Sequence, residues 1–257
     1  MKRSLLSLIF FLFSFTIALA NGIDERCPQH VIFGAPVTRL APNEGQYLCR
    51  MGYAVHYNYR TMTPEYVVER VNIAMATGSH RRRDDFRPDP EVPPQFRATL
   101  QDYAGQPFDR GHVAAAGNNT HDPRAMSETF LLTNMIPQDR NNNRGVWKQL
   151  ETITRDWVIR HGELFIISGP IYNQEFVRIG RGVGVPNGLF KIVVDPRNQR
   201  IIAFMLPNAP MGANDFPRHI VSVAEIEQVT GLRFFPQMPP QAQHVKTQRA
   251  NLQDWMR

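Results

Sequence analysis

The clearest regular pattern of hydrophobic and polar positions lies between Gly52 and Tyr59, in the stretch "GYAVHYNY". Large residues alternate there with smaller or polar ones, and this period of two predicts a half-buried β-strand. The pattern then changes, because Thr63 can cap a helix, Pro64 suits a first helical position and "EYVVERV" has apolar residues at helical spacing. The sequence therefore predicts a helix directly after the strand.

Further along, three segments predict a strand, a loop and a long helix in that order. The strand is "FLLTNMIP" (Phe130–Pro137), and the loop is "QDRNNN" (Gln138–Asn143), which ends in residues that cap helices. The helix should begin near Asn143 and end near His161, because a cation followed by Gly162 is the usual C-terminal signature.

The C-terminal half predicts more strands. "ELFIISGPIY", which starts at Glu163, is a buried strand, and "LFKIVVD" and "RIIAFMLP" form an antiparallel pair around "PRNQ". Residues 78–105 are rich in Pro, Arg and Asp and predict a long irregular segment. Because strands and helices do not alternate regularly, we predict an α+β fold in a single domain that covers residues 21–257.

The first 20 residues have the pattern of an export signal. Lys2 and Arg3 precede the apolar run "LLSLIFFLFSFTIALA", which ends in the small-x-small pattern that signal peptidase cuts, so cleavage is predicted after Ala20. The alternative is an uncleaved membrane anchor, but the run is short for a span of about 20 residues. The sequence thus predicts a periplasmic or extracellular protein without a stable membrane span.

Two cysteines, Cys27 and Cys49, remain after this cleavage. An exported protein meets an oxidising compartment, so an even pair predicts a Cys27–Cys49 disulfide that staples the mature N-terminus. Without a histidine pair at finger spacing, the two cysteines do not predict a zinc site.

The chain is basic, with a formal net charge of +6. Removal of Lys2 and Arg3 with the leader lowers this charge to +4. A modest positive excess favours an anionic partner, but it does not distinguish nucleic acid from an anionic membrane surface or an acidic polysaccharide. The densest basic run is "HRRRDDFR" (His80–Arg87), a pattern that is also typical of a solvated loop.

Two stripes of residues follow the predicted helix "NRGVWKQLETITRDW". The first is a narrow apolar face that predicts contact with the core, and it consists of Val146, Leu150, Ile153 and Trp157. The second recurs every four residues and consists of Asn143, Trp147, Glu151 and Arg155. Taken alone, the polar part of the second stripe is better explained by a Glu151–Arg155 surface ion pair.

The segment "FDRGHVAAAGNN" (Phe108–Asn119) changes this interpretation. An acid, a base, a glycine and a histidine run directly into small apolar residues, a combination that neither a surface loop nor a core explains by itself. If this segment ends a strand, then strand, strand and helix bring His112, Asn134 and Asn143 towards one place.

Three spaced motifs, "FDRGHVAAAGNN", "FLLTNMIPQ" and "NRGVWKQLE....R", together with the later "GPIY" strand end, resemble the sugar-non-specific DNA/RNA endonuclease family. Mitochondrial endonuclease G and several secreted bacterial nucleases belong to that family. The resemblance runs roughly from Gly52 to Phe235. It implies a ββα-metal (His-Me finger) core on a central, mainly antiparallel sheet flanked by helices. It also implies hydrolysis of DNA and RNA with little sequence preference, leaving 5′-phosphate ends.

The resemblance assigns roles to the matching catalytic residues. His112 corresponds to the general base, which suits an imidazole that is largely neutral at working pH, and Arg110 to a residue that stabilises the substrate or the transition state. Asn143 corresponds to the single protein ligand of one divalent ion, Mg²⁺ first and Mn²⁺ as an alternative. Glu151 corresponds to a residue that accepts hydrogen bonds from the waters around that ion.

Other matching positions bind substrate or support the site. Arg155 corresponds to a phosphate contact, and Asn134 to an asparagine that helps to fix the catalytic geometry. Asp109 is assigned mostly to the scaffold. The family also carries a substrate-binding arginine upstream, and the spacing does not choose among Arg81, Arg82 and Arg83; Arg83 is the residue named here.

Two alternatives come from other classes of protein: an inert module that only binds nucleic acid, and a hydrolase of another phosphodiester such as a phospholipid. The first is disfavoured because chemically competent residues fill all candidate catalytic positions. DNA and RNA are the predicted partners, a homodimer is compatible with the sequence, and an inhibitor protein leaves no signal in it.

Overall fold

The computed structural model describes residues 22–257, and the predicted leader, residues 1–20, lies outside the described residues. Within this range the strands are β1 (Gly45–Cys49), β2 (Ala54–Asn58), β3 (Thr63–Asn72), β4 (Phe108–His112), β5 (Met135–Asp139), β6 (Glu163–Ile171), β7 (Arg178–Ile179), β8 (Val183–Gly184), β9 (Gly188–Asp195), β10 (Arg200–Pro207) and β11 (Ile220–Val221).

The α-helices are α1 (Ile23–Arg26), α2 (Ile73–Ala76), α3 (Leu100–Tyr103), α4 (Pro123–Glu128), α5 (Arg140–Asn142), α6 (Lys148–His161), α7 (Val223–Thr230) and α8 (Gln253–Met256). A π-helical turn, Asn143–Trp147, joins α5 to α6. The 3-10 helices are Pro28–His30, Pro94–Phe96, Ala116–Asn118, Leu132–Asn134, Phe216–His219 and Pro240–Thr247. Among the helices of residues 22–257, none has the length and apolar character to cross a membrane.

Seven strands form one antiparallel sheet in the order β1-β2-β3-β6-β9-β10-β11. Alternate residues of β3 face opposite sides of this sheet. Val67 and Val71 belong to a core shared with α6 and β5, whereas Tyr66 and Val68 belong to a second core shared with α1 and α7. The fold is therefore an antiparallel sheet covered on both faces, as the α+β prediction required.

The prediction of a helix that starts near Thr63 is wrong, because residues 63–72 form strand β3. Most of the residues of β3 are buried, since the strand lies between β2 and β6 with both faces covered. Its valines and tyrosine are typical of a strand, and burial on both faces hides the alternation that would have indicated one. Pro64 is accommodated at a shift in the β2–β3 register.

The boundaries around β5 also differ from the prediction. Residues Leu132–Asn134 form a 3-10 helix, so the strand covers only the end of the predicted segment. The predicted loop is absent, because Asp139 ends β5 and at once caps α5, its Oδ1 accepting a hydrogen bond from Asn142 N at 2.9 Å. The helix end is as predicted, with Gly162 at φ 95°.

The remaining elements follow the sequence closely. Strands β6, β9 and β10 lie where predicted, with β9 and β10 paired antiparallel. Residues 78–105 are mostly irregular, with one 3-10 turn, the four-residue helix α3 and an isolated bridge from Arg87 to Leu131. The structure contains the predicted Cys27–Cys49 disulfide, with a Cα–Cα distance of 5.9 Å, and it joins the end of α1 to the last residue of β1.

Candidate active site

The two strands β4 and β5 and the helix that follows them form a compact ββα unit beside the main sheet. β4 pairs antiparallel with β5, so His112 at the end of β4 lies opposite Met135 at the start of β5. The Trp147 indole Nε1 donates a hydrogen bond to the His112 carbonyl oxygen at 3.2 Å, and Trp147 itself is buried. The backbone of His112 is thus tied to the start of the long helix.

A pocket of about 850 Å³ opens over this unit. Five of the seven residues predicted for the catalytic, metal and substrate roles line it: Arg110, His112, Asn143, Glu151 and Arg155. Arg82, one of the three candidate upstream arginines, also lines it. Other lining residues, which the sequence did not single out for these roles, are His80, Asp84, Phe86, Ala116, Gly117, Thr120, Met126, Arg144 and Lys148. Asp109, assigned to the scaffold, also contributes to the wall.

His112 is buried among aromatic rings. Its imidazole packs edge-on against Phe130, with a centroid distance of 4.8 Å, and lies 5.7 Å from Phe86. Within residues 22–257, its Nε2 has no hydrogen-bond partner. Burial, assisted by the charge of Arg82, lowers the pKa of His112 from 6.5 to about 3. The imidazole is therefore uncharged throughout the neutral range.

Asn143 is oriented by Asp109. The Asn143 Nδ2 donates a hydrogen bond to Asp109 Oδ2 at 2.9 Å, and Arg144 donates to both carboxylate oxygens at 2.8 Å. Burial raises the pKa of Asp109, but the hydrogen bonds from Arg144 and Asn143 outweigh it and hold the pKa below its usual value. With Nδ2 committed to a charged acceptor, the carbonyl oxygen of Asn143 is left free for another contact.

Glu151 and Arg155 lie one turn apart on α6 and both line the pocket. The surface ion pair that the spacing allowed does not form; the Arg155 Nη2 instead donates to Thr152 Oγ1 at 3.1 Å. Burial raises the pKa of Glu151, while Lys191 and then Arg155 act to lower it. The Glu151 carboxyl group and the Arg155 guanidinium therefore both stay available to a ligand in the pocket.

Two further arginines are held over aromatic rings at the pocket wall. The guanidinium of Arg110 lies 4.3 Å from the centroid of Phe86, and that of Arg82 lies 5.0 Å from the centroid of Phe130. Arg83, the arginine named from the sequence, is exposed and is not part of the wall. The structure thus brings Arg82 to the pocket, because Arg82 is the arginine that reaches Phe130.

Asn134, predicted among the catalytic residues, does not line the pocket. Its Oδ1 accepts a hydrogen bond from Ala114 N at 2.8 Å, and its Nδ2 donates to the carbonyl oxygens of Ala114 and Thr129, both at 2.9 Å. The side chain is fully buried. It therefore supports the segment that follows β4 and has no free group to offer a substrate.

The residues of this pocket suit an ion that needs few protein ligands. Within residues 22–257, no cluster of three or more His, Cys, Asp or Glu side chains could hold a metal. The carbonyl oxygen of Asn143 and the carboxylate of Glu151 are oxygen donors of the kind that Mg²⁺ prefers, and Mg²⁺ usually keeps several waters. The donor set therefore fits a hard divalent cation.

Comparison with known proteins agrees with this geometry. Residues 36–241 match the family model described as DNA/RNA non-specific endonuclease. The chain is 33% identical over 224 residues to the mitochondrial nuclease EXOG of Xenopus laevis. The aligned region covers 80% of this chain and 61% of that protein. It is 36% identical over 223 residues to a nuclease of Nostoc sp., covering 82% of this chain and 80% of the relative.

The chain thus spans about 60% of the length of the EXOG relatives that it matches. Among solved structures, the chain is similar to one from the crystal structure of the EndoG/EndoGI complex, which concerns the inhibition of EndoG. The TM-score is 0.76 at 26% sequence identity, and the match covers 83% of this chain and 93% of that one. This likeness confirms the predicted fold. The family model covers most of the chain, and the chain belongs to the DNA/RNA non-specific endonuclease family.

Proposed function

We propose that this protein is a metal-dependent endonuclease that hydrolyses phosphodiester bonds of DNA and RNA with little sequence preference. The observation that carries the proposal is the neutral, enclosed imidazole of His112 in a pocket that is also lined by Asn143, Glu151 and four arginines. Such a set provides the proton acceptor and the cationic donors that attack on an anionic phosphodiester requires.

His112 acts as the general base. It accepts a proton from the water that attacks phosphorus, and the P–O3′ bond breaks. The leaving O3′ takes up a proton from solvent water, so the products are a 5′-phosphate and a 3′-hydroxyl. Arg155, Arg110 and Arg82 neutralise and hold the phosphate, which places it for in-line attack. Because every nucleic acid shares these phosphates, binding through them accounts for low sequence preference.

A divalent cation is the proposed cofactor, with Asn143 as its protein ligand and Glu151 orienting the surrounding water. Mg²⁺ suits these oxygen donors best and Mn²⁺ is the alternative. When bound, the ion would neutralise charge on the phosphate and on the leaving oxygen. Asp109 supports this role, because its hydrogen bond fixes which end of the Asn143 amide is free.

We also propose that residues 21–257 form one exported domain, released by cleavage after Ala20. The leader pattern and the disulfide support export, since disulfides persist in oxidising compartments. EXOG is named as mitochondrial, whereas the Nostoc relative is named only as a nuclease. Detection of the mature protein in a periplasmic or culture fraction, with an N-terminus at Asn21, is the expected result.

The function is tested by plasmid nicking and RNA degradation with Mg²⁺ and with EDTA, beside His112→Ala. Mg²⁺-dependent loss of both substrates, absent in His112→Ala, is expected. A folded parent protein that bound nucleic acid without cutting it would indicate the inert binding module. Activity on a phospholipid but not on nucleic acid would indicate the other phosphodiester hydrolase.

A further inference from the structure

A layer of charged and polar side chains lies buried beneath the pocket, where the core is otherwise apolar. Glu69 is on β3 and Lys191 is on β9, the two strands that flank β6, and each residue is 1% exposed. Val67, Val71 and Val193 belong to the same core. Buried charges are costly, and packing alone does not require them at these positions.

Lys191 is held at a defined point in this layer. Its Nζ donates a hydrogen bond to Ser168 Oγ at 2.9 Å and lies 4.7 Å from the ring centroid of Trp147. Trp147 follows Asn143 by about one turn and precedes Glu151 by one turn, so the ammonium lies beneath the second stripe of the helix, which carries all three residues. The same indole donates a hydrogen bond to the His112 carbonyl oxygen, so Lys191 supports the side chain that ties β4 to the helix.

Glu69 contacts the other side of the pocket. Its Oε1 accepts a hydrogen bond from Asn118 Nδ2 at 3.1 Å, and within the described residues its Oε2 has no partner. Asn118 belongs to the 3-10 helix Ala116–Asn118, whose Gly117 lies against Arg155. A Cβ atom at Gly117 would be 2.9 Å from Arg155 Nη1. Glu69 is therefore connected through two residues to a guanidinium in the pocket wall.

We propose that Glu69 and Lys191 are positioning residues for the cleavage reaction. Lys191 packs against the Trp147 indole that holds the His112 backbone, and Glu69 holds, through Asn118, the backbone against which Arg155 rests. This inference rests on the proposed function and extends it to residues that touch neither substrate nor metal. It also accounts for two ionisable side chains in a core that is otherwise apolar.

The experiment measures kcat and KM on a labelled DNA duplex with Mg²⁺, together with thermal unfolding, for the purified protein and its variants. Lys191→Met should lower kcat about tenfold or more while KM stays within about threefold, because small displacements of catalytic groups are costly. Glu69→Leu should raise KM about fivefold or more, since Asn118 and Arg155 lose their support. Glu69→Gln keeps an acceptor for Asn118 and should restore KM to within about twofold of the parent.

Lys246→Met is the matched control. It breaks a partly buried ion pair (2.6 Å) with Glu227 of α7, the helix that packs on the second core, away from the pocket. It should therefore reduce stability without changing kcat or KM. If Lys191→Met does not fold, Lys191→Met/Glu69→Gln removes both charges and should recover stability while kcat stays low.

The outcomes separate the two proposals. Variants at Glu69 and Lys191 that change kcat and KM no more than Lys246→Met would overturn the positioning role while leaving the nuclease intact. A folded parent protein without cleavage would overturn the proposed function, and the positioning role with it.

Discussion

The Asn143 amide nitrogen donates a hydrogen bond to the Asp109 carboxylate across 2.9 Å, and this contact joins β4 to the π-helical turn at the start of the long helix. The two residues are 34 positions apart in the chain. Asp109 thereby orients Asn143, the one side chain proposed to bind metal. The acid of the "DRGH" motif is thus assigned an indirect role, through Asn143.

Removal of this contact should weaken the response to metal. Asp109→Ala leaves the Asn143 amide free to rotate, so we expect cleavage to fall about tenfold and the half-saturating Mg²⁺ concentration to rise. A Mg²⁺ titration of initial cleavage rates measures both effects. Glu163→Gln, which breaks the Arg70 ion pair away from the pocket, is the control. An unchanged Mg²⁺ midpoint in Asp109→Ala would remove Asp109 from this role.

The buried His112 should make the protein less stable in acid. Its pKa is about 3 in the fold and 6.5 when exposed, so the unfolded chain binds the extra proton first. The stability due to the neutral imidazole is complete above about pH 6.5 and is lost as the pH falls towards about 3, by about 1.4 kcal/mol per pH unit.

The effect of His112 is isolated by comparing urea unfolding of the parent and His112→Leu. Between about pH 7.5 and about pH 5, the difference in unfolding free energy should shift by about 2 kcal/mol in favour of the variant. Since both proteins share every other titrating group, those contributions cancel. A difference that does not depend on pH would contradict the depressed pKa.

Arg82 and Arg83 should differ in their effect on nucleic-acid binding, although they are adjacent in the chain. Arg82 is held over Phe130 in the pocket wall, whereas Arg83 is exposed outside it. Arg82→Ala should weaken binding and reduce the slope of log K against log salt by about one. The slope is measured with His112→Ala as the background, which prevents cleavage. Equal losses in Arg82→Ala and Arg83→Ala would show that only the overall charge matters.

Gly117 should be required for the position of Arg155 more than for the fold. An alanine Cβ there would approach the end of a flexible side chain, so stability should change by less than about 1 kcal/mol while KM rises several-fold. Gly22→Ala, with open space around its Cβ, is the control. A KM equal to that of the parent would show that Arg155 accommodates the methyl group without moving away from the substrate.

The sequence alone determined the features that depend on local or strongly patterned signals. The spaced motifs predicted that His112, Asn143, Glu151 and Arg155 lie near one another, and the structure places all four at one pocket. The same holds for the helix end at Gly162, where a positive φ favours glycine, and for the strands of the C-terminal half.

Only the tertiary structure decided the features that depend on neighbours distant in the chain. Thr63–Asn72 is a strand because β2 and β6 pair with it and both faces are covered, which removes the alternation that a sequence can show. Arg82 reaches the pocket because Phe130 lies beneath it, and Asn134 is bound by the backbone of Ala114 and Thr129. Glu69 and Lys191 lie on β3 and β9, and only β6 stands between these two strands in the sheet. The sheet order brings the two residues under the site, and no spacing along the chain indicates this.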